Sequence, residues 1–345
     1  MKREDILYYD KNYEVVLGDI YFENNIVTKT VEKDKPKEYN KSDILLPPFA
    51  DIHIHGGYGV DFMNCNEKDL IYFTEQAKKD GIGAFMPTTV ACEYEAIYRL
   101  SESIARANIP EIWGIHIEGP FINKKHKGVM DEKYIRECDV SLYDNVKSIL
   151  PDKTVRFTIA PETEGAAEFC EYVCKKGDFV SLGHSGATKK ECEALKKGGA
   201  SSYTHVFNAM STLFHRSENI LSCALTDELY CEIIADKIHI CSDVLDIVGR
   251  CKKDKLILVS DAIFAMACKE GRYKFCGREI NVKAGKAYTD ENVIAGSVLK
   301  LKEAVKNMSD IIGEKSAVKA ASENPARLLH KFDVFGSIEE GKYIL

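Results

Sequence analysis

Pro48-Phe49-Ala50-Asp51-Ile52-His53-Ile54-His55-Gly56-Gly57 is a short apolar run that closes on two histidines and a pair of glycines. On an extended strand successive side chains alternate between faces, so His53 and His55 share one face while Ile52 and Ile54 share the other. Runs of the same kind recur along the chain, apolar at first and polar at the end: Gly83 to Thr89, Trp113 to Glu118, Val155 to Pro161, Phe179 to His184, Ser202 to Phe207, Cys231 to Asp236 and Leu256 to Asp261. With Phe49 to His55 they make eight candidate strands. Between most of them lie Lys/Glu-rich stretches with helical spacing, such as Glu67 to Lys79, Ala166 to Lys176 and Lys189 to Lys197. Strand and helix in alternation imply parallel strands joined by crossovers. Eight such units predict an α/β fold of the (β/α)8 barrel type, with the active site at the C-terminal ends of the strands.

Outside that rhythm, residues 13 to 31 alternate loosely around Gly18-Asp19 and Asn24-Asn25, as short strands with turns do. Residues 32 to 43 are charged and read as an exposed loop. Tyr273, Phe275, Ile280 and Val282, with turns at Cys276-Gly277 and Ala284-Gly285, predict a β-hairpin excursion over 272–293. Helices are expected over Leu301 to Met308 and Ser316 to Leu329.

A chain of 345 residues admits one large barrel or two medium domains. Hydrophobic residues at 45% and charged residues at 29% supply a sizeable core and exclude a disordered chain. With 47 Lys+Arg against 54 Asp+Glu the net charge is −7, which argues against a nucleic-acid partner. Twelve cysteines include no CxxC pair, the closest being Cys170 and Cys174. In a chain this long they read as reduced, mostly buried thiols rather than a disulfide scaffold. Met1-Lys2-Arg3-Glu4-Asp5 has no apolar run behind it, so no signal peptide and a cytoplasmic location are expected. The longest apolar run, around Leu256 to Cys268, carries Ser260 and Asp261 and is too short to span a bilayer, so no membrane partner is expected.

The strand ends carry the chemistry. His53 and His55 on one face make a metal-ligand pair, since imidazole suits zinc and iron. Glu118 ends Ile115-His116-Ile117-Glu118, His184 ends Val180-Ser181-Leu182-Gly183-His184, His205 sits in Tyr203-Thr204-His205, and Asp261 ends Leu256 to Ser260. Each has an ordinary alternative: a turn carboxylate for Glu118, a buried hydrogen-bonded ring for His184 or His205, a helix N-cap for Asp261. Together they place five potential ligands and one acid at the ends of five candidate strands, using four of the nine histidines. A divalent ion held this way, with an open position, lowers the pKa of bound water towards ~7. A nearby carboxylate, Asp261, can then take the proton and deliver it to a leaving group. That is the chemistry of amide or ester hydrolysis.

These motifs identify a resemblance. The chain is similar to the N-acetylglucosamine-6-phosphate deacetylases of the amidohydrolase superfamily, over nearly its whole length. The matching stretches are the Pro48–Gly57 run, Gly114-Ile115-His116-Ile117-Glu118-Gly119-Pro120-Phe121, Ala160-Pro161-Glu162, Leu182-Gly183-His184-Ser185, Thr204-His205-Val206-Phe207-Asn208-Ala209-Met210, Val259-Ser260-Asp261-Ala262, Ile294-Ala295-Gly296-Ser297 and Asn324-Pro325-Ala326-Arg327. The resemblance implies that Glu118, His184 and His205 are the main metal ligands. It implies a second-metal site at His53 and His55, with Glu118 as a bridge, so one or two divalent ions, zinc or iron, are expected. Asp261 is the implied catalytic acid/base, close enough to count among the metal-site residues. His239 is implied to contact the substrate, Asn208 and Ala209 to touch the sugar phosphate, and His215 with Arg216 to meet the phosphate. Val129 and Ile294, Ala295 and Gly296 are implied to line the pocket. In the family the arginine crosses a dimer interface, so a homodimer is implied. From the residues alone His239 remains a possible core histidine and His215-Arg216 an ordinary exposed turn.

The implied architecture is a barrel over 47–332, with the insertion around 272–293, and a small β-sandwich from 1–46 plus about 333–345, short at its C-terminal end. The chain departs from the family at Met130, where a histidine usually follows Lys-Gly-x, and at Lys237, where glycine usually precedes the substrate histidine. The expected reaction releases acetate and glucosamine 6-phosphate from N-acetylglucosamine 6-phosphate. Alternatives are the galactosamine epimer or another N-acetylhexosamine phosphate, a cyclic amide, and a non-catalytic sugar-phosphate sensor. A sensor is expected to lack a ligand or the acid, and here all are present.

Overall fold

The computed structural model describes residues 1–34 and 38–345; part of the charged 32–43 segment therefore lies outside the described residues. Eight parallel strands form the centre: β1 (Phe49–Ile54), β2 (Ile82–Thr89), β3 (Gly114–Glu118), β4 (Thr154–Ile159), β5 (Phe179–Leu182), β6 (Ser202–Tyr203), β7 (Tyr230–Ile234) and β8 (Leu256–Val259). They pair in that order, with Thr154 opposite Gly114 and Thr158 opposite Glu118 in the β3–β4 register. The ring closes where the Asp261 N–H donates to the His53 carbonyl at 2.9 Å and the His55 N–H to that of Ala262 at 2.8 Å. Each of the eight apolar runs thus contains a barrel strand.

The helices cover the strands with one apolar stripe each. In Glu67–Lys79 the stripe is Leu70, Phe73, Thr74 and Ala77, all buried. Its start is fixed by a capping box: the Asn66 side chain accepts the N–H groups of Lys68 and Asp69, and the Asp69 carboxylate accepts that of Asn66 at 2.9 Å. Burial of Leu70 and Phe73 contributes roughly 1.5–3 kcal/mol each.

The barrel interior holds a layered polar network. Arg156 and Glu232 form a fully buried ion pair. Arg156 also donates to the Ser202 hydroxyl at 3.2 Å and to the Ile52 carbonyl at 3.4 Å. Above this layer Thr158 bonds Thr204 at 2.7 Å and His116 at 2.7 Å, and Thr204 donates to Ser181 at 2.6 Å. Gly183 follows β5 because a Cβ there would stand 2.8 Å from Thr158 Cγ2 and 2.9 Å from Thr204 Cβ.

Two expectations are refined, and one strand went unread. The segment over 272–293 is no simple hairpin but supplies three strands of a four-stranded antiparallel sheet, Gly271–Phe275, Arg278–Lys283, Lys286–Thr289 and Ile294–Ser297. The helix expected over Ser316 to Leu329 is two, Glu314–Ala321 and Glu323–Leu328, broken at Ser322. Pro325 explains the break: it lacks an N–H, so it suits the first turn of a new helix and not the interior of a long one. A strand at Lys2–Tyr9 was hidden by its charged start, since burial begins only at Leu7, Tyr8 and Tyr9.

That strand belongs to a separate sheet ordered Ile26–Lys33, Val15–Glu23, Lys2–Tyr9, Ile44–Leu45. Its hairpin turns at Asn24 and Asn25, both left-handed (φ 50° and 61°), a conformation asparagine tolerates. Tyr8, Ile20, Phe22 and Val27 bury Ile338 and Ile344 from the C-terminal tail. The tail is tied on by hydrogen bonds from Gly341 to Val27 and from Ile344 to Asn25, each 2.8 Å.

Candidate active site

His53, at the end of β1, and Glu118, at the end of β3, are still in strand conformation. His184, His205 and Asp261 lie just past β5, β6 and β8, in turns with φ of 48°, 29° and 47°. Left-handed backbone at a non-glycine residue costs of order 1–3 kcal/mol and clusters at functional sites. Here it bends three strand ends inward over the barrel mouth.

The side chains converge on Glu118. Its Oε1 is 2.9 Å from His205 Nε2, 3.1 Å from His184 Nε2 and 3.4 Å from His53 Nε2, and its Oε2 is 3.2 Å from His55 Nε2. Asp261 Oδ1 stands 3.1 Å from His55 Nε2 and 3.3 Å from His53 Nε2. Three overlapping donor sets can each hold an ion: His53, His55 and Glu118; Glu118, His184 and His205; and His53, His205 and Asp261. All are buried. The tautomer of His184 fits this role. His184 Nδ1–H donates to the His126 carbonyl at 2.7 Å, which leaves Nε2 as the lone-pair nitrogen. Beneath His53, Nδ1 faces Glu232 Oε2 at 3.6 Å. His184 Nε2 and His205 Nε2 approach to 3.1 Å, as two nitrogens directed at one centre would. This donor set fits a divalent ion.

The electrostatics agree. Burial alone would raise the Glu118 and Asp261 carboxyls, but the facing histidines hold both well below the usual carboxylate range. Burial would lower His55, but hydrogen bonds to Asp261 and Glu118 outweigh it and lift the ring to about 9. His53 is likewise raised: burial opposes the shift, and Glu118 and Asp261 overcome it. His116 is the contrast: burial, with Arg156 close by, drives it well below the usual histidine value. It is a neutral structural ring between Thr88 and Thr158. Because ligating imidazoles must be neutral, loading the metal-free protein at pH 7 should expel about one proton or more per chain. The His55 share of the effect should fade as pH rises past about 9, where that ring is already deprotonated. Calorimetry in buffers of different ionisation enthalpy measures this; heats independent of buffer would contradict it.

A cavity of about 210 Å³ opens above the cluster. His55, Glu118, His184, His205, Asp261, Asn208, Ala209, His239, Val129, Ile294 and Gly296 line it. Asp236 holds His239 from below: its Oδ2 is 2.6 Å from Nδ1, and its Oδ1 accepts the N–H groups of Ile238 and His239. Three expected residues are not in the wall. Ala295 is fully buried in the small core under the antiparallel sheet. His215 and Arg216 are exposed on the loop before Asn219, away from the cavity.

Sequence reasoning missed Val90, Lys127, Gly128, Phe275 and Val293, which with Met130 complete the wall. Val90 directly follows β2, so the strand-end rule alone points to it. Phe275 came from the antiparallel sheet, and its ring packs edge-on against His55 at 6.0 Å. Met130 brings a thioether to the wall, and its sulfur accepts the Ala91 N–H at 3.4 Å. Lys237 stands at φ 62°, a conformation glycine adopts freely, and its side chain points to Asp310 at 3.9 Å.

The antiparallel sheet is anchored at the acid. The Ser297 N–H donates to the Asp261 carbonyl at 2.8 Å and the Ile263 N–H to that of Ser297 at 2.9 Å. Gly296, at φ 62°, is required because a Cβ would lie 3.0 Å from the Asp261 carbonyl oxygen and 2.7 Å from Ile263 Cγ2.

Nitrogen and oxygen donors bent over the C-terminal mouth of such a barrel define a class, the metal-dependent (β/α)8 hydrolases. The chain belongs to the amidohydrolase family, whose pattern matches residues 44–344. Over 348 residues it is 32% identical to N-acetylglucosamine-6-phosphate deacetylase of Bacillus subtilis (strain 168), covering 95% of this chain and 88% of that one. Over 309 residues it is 31% identical to N-acetylgalactosamine-6-phosphate deacetylase of Escherichia coli O157:H7, covering 87% and 82%. The crystal structure of N-acetylglucosamine-6-phosphate deacetylase from Thermotoga maritima superposes with a TM-score of 0.90 at 30% identity, over 99% of this chain and 93% of that one. Among the described residues no helix is long and apolar enough to cross a membrane.

Proposed function

We propose that this chain removes the acetyl group from N-acetylglucosamine 6-phosphate, giving acetate and glucosamine 6-phosphate. The observation that carries this reading is the convergence of His53, His55, His184, His205 and Glu118 beside Asp261, all but the fully buried His53 lining the floor of one cavity. The substrate class comes from the relatives, whose names specify N-acetylhexosamine 6-phosphates.

Glu118, His184 and His205 would hold one divalent ion, and His53 and His55 with Glu118 would hold a second; zinc or iron suits this donor set. When bound, the metal supplies Lewis acidity towards the acetyl carbonyl and a water nucleophile usable at neutral pH. Asp261, an anion beside that position, accepts the water's proton and returns it to the departing amine. His239, held through Nδ1 by Asp236, meets the substrate from the cavity wall. Phe275, Val129, Met130 and Ile294 exclude solvent from the reacting carbonyl. Asn208 and Ala209 meet the sugar phosphate.

Arg216 belongs to a homodimer in this reading. It lies outside its own cavity, and the same loop exposes Leu213 and Phe214, at 47% and 56%. An apolar pair beside a cation suits a subunit interface that hands Arg216 to the partner's phosphate. Arg216→Ala should raise KM by about 10–100-fold with kcat little changed, as steady-state kinetics would show; unchanged KM would remove Arg216 from phosphate binding. Twelve free thiols and a phosphorylated substrate fit a cytoplasmic site of action.

The direct test is acetate release from N-acetylglucosamine 6-phosphate by purified protein loaded with zinc, iron, cobalt or manganese. No release with any of them would sink the proposal. The galactosamine epimer is the second reading, favoured by the similarity to the Escherichia coli enzyme. The ratio of kcat/KM for the two sugars decides between them.

A further inference from the structure

Ala160-Pro161-Glu162 takes no part in the chemistry above, yet its carboxylate ties together two loops that do. We propose that Glu162 is a positioning residue: it locks the 123–130 loop onto the His184 turn, and so fixes both the aim of a metal-ligating imidazole and the shape of the substrate wall.

Glu162 Oε1 accepts the Asn123 side-chain amide and the Gly186 N–H, both at 2.7 Å, and its Oε2 accepts the Ser185 hydroxyl at 2.6 Å. Three donors from two other loops therefore converge on one side chain. Those loops are cross-linked further. The Asn123 N–H donates to the His184 carbonyl at 3.0 Å. Asn123 Oδ1 accepts the Lys125 N–H at 2.8 Å and so shapes the turn Lys124–His126. The carbonyl at the end of that turn, on His126, receives His184 Nδ1–H at 2.7 Å. The His126 ring lies over Gly186, where a Cβ would come within 2.8 Å of its Nε2. Lys127, Gly128, Val129 and Met130 then continue directly into the cavity wall.

Glu162 itself does not line that cavity, and both its oxygens are engaged. It is therefore poorly placed to touch substrate or exchange a proton with it. Its influence runs through the 123–130 loop, which cannot move without carrying the His126 carbonyl away from His184. Charge-assisted hydrogen bonds to a carboxylate are roughly twice as strong as neutral ones, so one side chain suffices for this task. Removing a group that orients a metal-ligating histidine typically weakens metal binding 10–100-fold.

The test uses the whole protein and two readouts. Cobalt affinity, from the visible spectrum of bound Co²⁺ in competition with a chelator, needs no turnover. KM for N-acetylglucosamine 6-phosphate, at saturating metal, rests on the function proposed above. Glu162→Ala should weaken Co²⁺ binding by about 10–100-fold and raise KM together. Glu162→Gln, which keeps the shape but puts an NH2 group against donors, should fall between it and the parent. The double variant Asn123→Ala with Ser185→Ala should reproduce the Co²⁺ loss. A Glu162→Ala protein with the parent's Co²⁺ affinity and KM would overturn the proposal, as would one that loses only melting temperature. If Glu162→Ala does not fold, Glu162→Gln is judged by the same two readouts. If no variant or parent turns over this sugar, Co²⁺ affinity still decides on Glu162 while the function proposal fails separately.

Discussion

In an Asp261→Asn protein turnover should fall about 10²–10⁴-fold, the range for loss of a positioned general acid/base, while metal content stays at the parent's level. The substitution is unusually clean here. Asp261 sits at φ 47°, and asparagine is among the few residues that accept the left-handed region at little expense. The backbone, and with it the Ser297–Asp261 hydrogen bond, should therefore survive. The amide oxygen can still face the position that Oδ1 holds, 3.1 Å from His55 and 3.3 Å from His53. What the amide cannot do is accept the water's proton and return it to the amine. Single-turnover kinetics with metal analysis of the same sample measures both halves. Near-normal turnover would remove Asp261 from its role.

Glu118→Gln should be as damaging for the opposite reason. Glu118 is the one carboxylate within reach of all four histidines. Neutralising it withdraws the charge shared by both proposed ion positions. Metal affinity should fall by more than the 10–100-fold that outer-sphere changes produce, and acetate release with it. A second consequence concerns protons in the metal-free protein. The side chains of Glu118 and Asp261 hold His55 protonated up to about 9. Without Glu118 that support weakens, so the protons expelled on metal loading at pH 7 should become fewer. Metal content by mass spectrometry and calorimetry in paired buffers would register both. A variant that keeps its metal and its activity would show that Glu118 is not the bridge.

The barrel was legible because parallel strands are buried on both faces and read as near-continuous apolar runs. Leu256–Val259 is wholly buried and wholly apolar. The ligand set was legible because polar residues at the ends of such runs are conspicuous. Strand ends themselves were less so. His184, His205 and Asp261 leave the strands through left-handed turns that closure of the ring imposes, and no local signal marks a histidine as left-handed. Arg156 and Glu232 escaped notice because each is unremarkable in its own strand. Their meaning lies in the other: separated by 76 residues, they neutralise one another in a layer no water reaches. The 123–130 loop was equally opaque, since it has no regular periodicity and gains its shape from Glu162 and the His184 turn.

The attachment of the antiparallel sheet to Asp261 bears on how specificity can diversify in this scaffold. The last strand, Ile294–Ser297, gives one edge to the sheet and the other to the main chain of the proton acceptor. The sheet is therefore no detachable cassette: a graft with a different register would carry the aspartate out of line with its water. New substrate preferences are easier to reach by changing side chains such as Phe275, Val293 or Ile294 on a conserved backbone. Insertions belong at the exposed Ala284-Gly285 turn, since the Cys276-Gly277 turn adjoins Phe275 in the cavity wall.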